Sequence, residues 1–388
     1  MSEISILFSI SAILFLSPFL SRYLRIPTPA TEIILGTLTA YFGFITDFYL
    51  FELIAHVGFF YLMFMAGTEV DLKMFVTIDK NLLKKGVIYL IFLYIISTIS
   101  VLYLDINKIL IIIIPTLSVG LILALYKDYG KNAQWLNLSM IVGSMGELVS
   151  ISLLTFAGAA LEFGIGIELY KSVAYLIILL GSIVALFKLL HVLFWWYPEI
   201  KTYLMPHLDK EEQDLRLSMA LFFLMIGLMI WLQLEIAFGA FIAGIFIATF
   251  FEHKEDLPHK ISSFGFGFLV PIFFIYIGST FDILTLGVSG VIETAVQIVS
   301  IMVIARIISS LVFIKTLGTI NMFRFALSQS MPLTLMIAVA TIAYESHSIG
   351  SEIYSALILA SLFEVIISML GIKILSSLKD YYKLKLNS

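Results

Sequence analysis

Long apolar runs recur along this chain of 388 residues, and short polar stretches separate them. A transmembrane helix needs about 20 consecutive, mostly apolar residues, and the runs have roughly this length. Hydrophobic residues make up 61% of the chain and charged residues only 13%, which is more apolar surface than a soluble core could bury. The sequence therefore predicts an all-α polytopic membrane protein that lies in a lipid bilayer.

The apolar runs predict about thirteen transmembrane helices. The first run lacks a preceding Lys or Arg and a small-residue cleavage site, so we expect it to be retained as a helix. The approximate spans are 4–20, 28–44, 51–66, 86–104, 109–126, 136–158, 168–192, 215–232, 236–251, 263–280, 287–313, 322–343 and 351–374.

Positive charge is concentrated on one side of these spans. The loops after spans 1, 3, 5, 7, 9 and 11, the C-terminal tail and the span ends that adjoin them contain twenty of the 23 Lys and Arg residues, counting Lys188 near the end of span 7. By the positive-inside rule, we expect the N-terminus outside and the C-terminus in the cytoplasm. The net charge of −4 is small and no basic patch is present, so a nucleic-acid partner is not expected.

The chain also shows an internal duplication. Two halves of six spans on either side of span 7 have opposite topology, which is the inverted-repeat plan of many secondary transporters. The matched pairs are Gly67 with Gly278 at an offset of 211, and Pro115 with Pro332 and Glu147 with Glu364 at an offset of 217.

Two prolines predict interrupted helices in corresponding positions of the two halves. Pro115 lies in span 5 and Pro332 in span 12, where each removes a helical hydrogen bond and clashes with the preceding turn. Unwound backbone at membrane depth persists only where protein buries it or where it lines a watery cavity. The polar neighbours of the breaks are Thr116, Ser118, Gln329, Ser330 and Thr334. The alternative is a pair of ordinary proline kinks whose hydroxyls bond to their own helices.

Glu147 lies roughly midway along span 6, in the segment SMIVGSMGELVSISLLT. A carboxylate at this depth is costly and usually faces a protein-lined cavity, where it binds an ion or passes a proton. We predict that Glu147 is the working site, where an ion binds or a proton passes, with oxygens from Thr116 and Ser118 as further ligands. The alternative is a structural Glu that hydrogen-bonds to a neighbouring helix.

The sequence contains no motif of an intramembrane hydrolase or of an ATP-driven pump. HExxH, GxSxG and P-loop patterns are absent, and the chain has no cysteine for thiolate metal ligands. We therefore expect a protein that is not an enzyme and that needs no cofactor.

Four segments of the chain resemble the monovalent cation/proton antiporters of the second branch. These segments are IPTPATEIILGTLTAYFG, GFFYLMFMAGTEVDLKMF, GAFIAGIFIATFF and VPIFFIYIGSTFDIL. The family includes bacterial sodium/proton exchangers and the membrane part of glutathione-gated potassium efflux systems. The resemblance implies a prokaryotic plasma-membrane homodimer with a scaffold domain and a mobile core domain, the latter built around two crossed, unwound helices in spans 5 and 12.

The resemblance divides the chain into four consecutive segments. We expect scaffold helices 1 and 2 and the first core helix, helix 3, in 1–66. The remaining core helices of repeat 1, including broken helix 5 and site helix 6, fall in 67–160, where the assignment of helix 4 is left open. Linker helix 7 and a cytoplasmic loop follow in 161–214, and the inverted repeat 2 with broken helix 12 in 215–388.

The family's site transfers to this chain only in part. Where the family has a polar residue followed by an essential acid, this chain has Gly146 and Glu147, so one carboxylate is available. Arg306 matches the family's basic residue in the eleventh span, and the resemblance implies charge compensation. Its acidic partner is left open between Glu364, Asp282 and another core acid.

Two further positions depart from the family pattern. The Gln-Gly-Gly-Glu motif before the second crossing is here Gln329, Ser330, Met331 and Pro332, so the usual Glu is missing. Glu364 stands where a small or hydroxyl residue is expected. It would supply a second proton if it faced the same cavity as Glu147.

Two functions follow from these observations. The first is secondary exchange of a monovalent cation, Na⁺ or Li⁺ or else K⁺, for a proton by alternating access. With a single titrating acid at the site, this exchange is predicted to be electroneutral. The second is a gated potassium efflux pathway, or a membrane module that acts with a separate regulatory subunit.

Overall fold

The computed structural model describes residues 2–24, 26–46, 48–69, 79–129, 133–163, 167–197, 199–200, 212–232, 234, 236–251, 254, 256–281, 283–284 and 290–386. Within these ranges the regular structure is entirely helical. The helices are α1 (Ser2–Leu24), α2 (Thr28–Tyr41), α3 (Tyr49–Thr68), α4 (Lys80–Tyr103), α5 (Leu110–Ile113), α6 (Gly120–Tyr129), α7 (Gln134–Phe163), α8 (Ile167–Trp196), α9 (Gln213–Leu232), α10 (Ile236–Phe250), α11 (Leu257–Phe264), α12 (Val270–Thr280), α13 (Val291–Ser310), α14 (Ile314–Leu317), α15 (Thr319–Gln329), α16 (Leu333–Glu345) and α17 (Ser351–Leu386).

Nine helical stretches in the described part of the chain are long and apolar enough to cross a membrane. They coincide with predicted spans 1, 3, 4, 6, 8, 10, 11, 12 and 13, and in span 10 a π-helical segment joins α11 to α12. The prediction of an all-α polytopic membrane protein is therefore confirmed. Spans 2 and 9 correspond to shorter helices, span 5 is interrupted and span 7 lies within α8, so the exact number thirteen stays a prediction.

The helices form two compact units. The first unit contains residues 1–73 and 155–281, and the second contains residues 74–154 and 282–388. Each unit therefore combines segments from both halves of the sequence. Helix α3, predicted as the first core helix, lies in the first unit, whereas α4 lies with the second unit and most of α7.

Close helix packing in the first unit depends on glycine. On α2 and α12, a Cβ atom at Gly36 would overlap the carbonyl oxygen of Ile275, and one at Gly278 would overlap that of Ile33. Small residues let helix backbones approach closely in membranes, where no hydrophobic effect drives helices together. The hydroxyl of Thr37 reinforces the contact by donating to the carbonyl oxygen of Gly278 at 2.9 Å.

The same arrangement recurs between α3 and α10. A Cβ at Gly67 would overlap the carbonyl oxygen of Phe241, and one at Gly244 would overlap that of Phe64. Gly67 and Phe64 precede Gly278 and Ile275 by 211 residues, while Gly36 and Ile33 precede Gly244 and Phe241 by 208. Two pairs of contacts at nearly constant offsets support the internal duplication predicted from the sequence.

The second unit contains two interrupted helices. The first ends at Ile113, two residues before Pro115, and resumes at Gly120. The second ends at Gln329 and resumes at Leu333, directly after Pro332. Both breaks occur where the prolines predicted them, because proline cannot donate the backbone hydrogen bond that a continuous helix requires.

Candidate cation and proton site

Glu147 lies within α7 and is 1% exposed. Its carboxylate is adjacent to the first interruption, where Ser118 Oγ donates to Glu147 Oε1 at 3.1 Å. The backbone N–H of Val119 donates to Glu147 Oε2 at 3.2 Å. The interruption thus frees a backbone N–H group that a continuous helix would use internally, and this group holds the carboxylate.

The second interruption contributes to the same site. Thr334 lies at the start of α16, and its Oγ1 is 3.2 Å from Ser118 Oγ. The Ser118 hydroxyl therefore contacts both the carboxylate of Glu147 and a hydroxyl of the second interruption. Among the described residues, Glu147 forms no ion pair, so its contacts there are with neutral groups.

Gly146 permits the close approach of α7 to the first interruption. A Cβ at this position would overlap the side chain of Leu117, whose own Cβ would be 2.9 Å away. Leu117 N also donates to Ser150 Oγ at 3.3 Å, which ties the unwound backbone to α7 one turn beyond Glu147. A second acid at position 146 would not fit without a shift of this backbone.

Arg306 lies on α13 and contacts both interruptions. Its Nε donates to the carbonyl oxygen of Gln329 at 2.9 Å, and its Nη2 donates to the carbonyl oxygen of Thr116 at 2.7 Å. Its Nη1 lies 3.2 Å from Glu364 Oε1, and both side chains have no exposed surface. Of the partners that the sequence left open, Glu364 therefore pairs with Arg306 among the described residues. Asp282 lies outside them.

The remaining predicted site residues lie around Glu147 and Arg306. The Thr116 hydroxyl donates to Ile113 O at 2.7 Å, so the carbonyl of Thr116 joins the Arg306 cluster while its hydroxyl bonds within its own segment. Gln329 Nε2 donates to the carbonyl oxygen of Ser139 on α7 at 2.8 Å. The carbonyl oxygen of Ser330 accepts from Ser368 Oγ on α17 at 2.8 Å.

Sequence reasoning missed several of these groups. Val119, Ser150 and Ser368 act through backbone or hydroxyl contacts between helices distant in the chain, and no sequence pattern marks them. Glu32 did carry a signal, because it is an acid within predicted span 28–44. It is 3% exposed in the first unit and accepts from Ser17 Oγ at 3.1 Å.

Comparison with protein families gives a match over nearly the whole chain. The model described as "Sodium/hydrogen exchanger, transmembrane" matches residues 10–377. The chain is 24% identical over 386 residues to Probable Na⁺/H⁺ antiporter 3 of Methanocaldococcus jannaschii, with 95% of each chain covered. It is 32% identical over 136 residues to YjbQ of Bacillus subtilis, which is named as a candidate Na⁺/H⁺ antiporter. That match spans 35% of this chain and 22% of YjbQ.

A solved structure has a similar fold. The sodium proton antiporter MjNhaP1 of M. jannaschii, determined at pH 8, superimposes with a TM-score of 0.67. The match covers 97% of this chain and 100% of that chain at 17% sequence identity. At this identity the similarity shows a shared fold.

Proposed function

Because the chain belongs to the transmembrane sodium/hydrogen exchanger family, we propose that it exchanges a monovalent cation for protons across a membrane. The observation that carries this proposal is the burial of Glu147 between two interrupted helices, with neutral oxygens beside it and no ion-pair partner among the described residues. A buried carboxylate with this surrounding can be neutralised by a proton or by a small cation.

Competition between these two ligands is sufficient for exchange. When Glu147 holds a proton, the site has no net charge and no cation binds. When the proton leaves, Na⁺ or Li⁺ takes its place, with the hydroxyls of Ser118 and Thr334 as adjacent oxygen ligands. Alternating exposure of the site to the two sides of the membrane then couples one flux to the other.

Arg306 is proposed to stabilise the interrupted backbone without exchanging its own proton. It donates to carbonyl groups that the helix breaks leave without helical partners, and Glu364 balances its charge. The helix breaks can therefore persist at membrane depth.

The pairing of Glu364 with Arg306 favours electroneutral exchange. A second proton carrier would have to be an acid that is free to change its protonation during transport, and Glu364 instead neutralises a fixed charge. Gly146 supplies no titratable group beside Glu147. One proton would then leave Glu147 for each monovalent cation that binds, and the cycle would move no net charge.

The remaining parts of the proposal concern assembly and location. We propose a homodimer in the plasma membrane of a prokaryote, with the N-terminus outside and the C-terminus in the cytoplasm. The charge distribution between loops supports the orientation. Family membership supports the exchange function over the gated potassium pathway.

Proteoliposomes with a preformed pH gradient provide the test. Addition of Na⁺ or Li⁺ should dissipate the gradient in the presence of the wild-type protein, and K⁺ should be tested separately to establish selectivity. Potassium flux without stoichiometric proton movement would contradict exchange and support a conductive pathway.

A further inference from the structure

The second repeat has its own buried carboxylate. Glu364 follows Glu147 by 217 residues, the same offset that relates Pro332 to Pro115. Each carboxylate lies on the helix that comes after an interrupted helix, Glu147 on α7 and Glu364 on α17. The two positions differ in their partners, because Glu147 contacts neutral groups and Glu364 contacts a guanidinium.

A serine one turn beyond each carboxylate contacts the interrupted backbone of its own repeat. Ser150, three residues after Glu147, accepts from Leu117 N at 3.3 Å. Ser368, four residues after Glu364, donates to the carbonyl oxygen of Ser330 at 2.8 Å. Residues three and four apart share one face of a helix, so each carboxylate lies on the helix face that contacts an interruption.

The contacts of Arg306 have the composition of a cation site. The guanidinium lies within 3.2 Å of one carboxylate oxygen, that of Glu364, and donates to two carbonyl oxygens, those of Thr116 and Gln329. Carbonyls of unwound backbone are ligands that transporters with broken helices use for monovalent cations. Neither oxygen of Glu364 has a hydrogen-bond partner in the described part of the chain, so the carboxylate is held by the charge of the guanidinium alone.

The first repeat has no cation of its own at the corresponding place. Tyr89 on α4 precedes Arg306 on α13 by 217 residues and is also fully buried. A tyrosine has no positive charge, whereas an arginine always has one. The two repeats therefore present similar carboxylates, of which only the second has a positive side chain at this position.

We propose that Glu364, together with the carbonyl groups of Thr116 and Gln329, forms a second monovalent-cation site that the tethered guanidinium of Arg306 occupies permanently. The inference rests on the proposed function, since it treats the second site as the counterpart of the Glu147 site. It explains why one of two matched carboxylates exchanges its ligand and the other does not. Removal of the guanidinium should leave a site that a free monovalent cation can fill.

Chemical rescue of Arg306→Ala tests the proposal. We expect the purified variant to melt at a lower temperature than the wild type in detergent. Guanidinium, added below denaturing concentrations, should raise this melting temperature saturably, because it carries the charge and the shape of the group that was removed. The wild type, whose site is occupied, should show no such rise.

Two further variants show which carboxylate causes the rise in melting temperature. Arg306→Ala with Glu364→Gln should lose the saturable rise, because the amide offers no negative charge. Arg306→Ala with Glu147→Gln should keep it, so a failure of the exchange proposal at Glu147 would leave this result unaffected. Absence of a saturable response in Arg306→Ala, or an equal response with Glu364→Gln, would overturn the proposal.

Arg306→Gln provides the same test in a less disturbed background. Its amide nitrogen replaces Arg306 Nε as a donor for the carbonyl oxygen of Gln329, but it carries no charge. Guanidinium should stabilise this variant only while Glu364 is intact. Equal melting temperatures with and without guanidinium would contradict a vacated cation site.

Discussion

The internal duplication is preserved differently in the two units. In the first unit, glycine-to-carbonyl contacts recur as matched pairs, with Gly67 and Gly278 in equivalent roles. In the second unit, matched positions differ in charge: Arg306 donates to both interruptions, whereas Tyr89, which precedes it by 217 residues, is uncharged. Close backbone packing tolerates only glycine in both copies, whereas exchange at a single site requires the two copies to be chemically distinct.

The largest effect should follow from neutralising the site that we assign to exchange. Glu147→Gln keeps the size and hydrogen-bonding shape of the side chain but can neither titrate nor supply charge to a cation. We expect complete loss of Na⁺-driven proton movement in proteoliposomes, with the protein still folded. Glu32→Gln, which alters a buried acid in the first unit, is the matched control and should retain transport. Exchange by Glu147→Gln at the wild-type rate would show that the assigned site is wrong.

Loss of Arg306 should have the next largest effect, on stability. Arg306→Ala leaves Glu364 buried without its counter-ion and removes two donors from the interrupted backbone. Breaking a buried ion pair costs about 3–5 kcal/mol, so the melting temperature in detergent should fall clearly. Arg306→Lys keeps the charge, so its melting temperature should fall less. A wild-type melting temperature for the Ala variant would argue against a buried pair.

The duplicated glycine contacts of the first unit predict a smaller loss of stability, similar in size for the two matched positions. Gly67→Ala and Gly278→Ala each place a methyl group against a carbonyl oxygen, and overpacking of this kind costs about 1–3 kcal/mol. The two variants should lose similar stability because the contacts are equivalent. Gly227→Ala is the control, since no atom lies within 4 Å of a Cβ there. Clearly unequal losses would break the equivalence of the two helix pairs.

The smallest response is expected from membrane voltage. Moving one charge through the full membrane field changes the free energy by about 2.3 kcal/mol per 100 mV. A cycle that exchanges one proton for one monovalent cation moves no net charge, so an imposed potassium diffusion potential should barely change its rate. Robust sodium-driven currents would instead identify a second proton carrier, and their loss in Glu364→Gln would assign that role to Glu364.

The sequence predicted the parts of this molecule that depend on local chemistry. The breaks near Pro115 and Pro332 follow from the missing backbone donor, and the burial of Glu147 follows from its position within an apolar run. Contacts between distant segments were not accessible in this way. The choice of Glu364 as partner of Arg306 depends on how α13 and α17 pack, and the donor Val119 N–H is available only because the helix is interrupted.

The central claim is that a cation and a proton compete for Glu147. Binding of a cation to a group that must first lose its proton releases that proton to the solvent. Calorimetric titration of the purified protein with Na⁺, or with Li⁺ if that is the transported ion, in buffers of different ionisation enthalpy, measures the number of protons released. We predict one proton released for each cation bound by the wild type, and neither binding nor release in Glu147→Gln. Cation binding by the wild type without proton release would contradict the account.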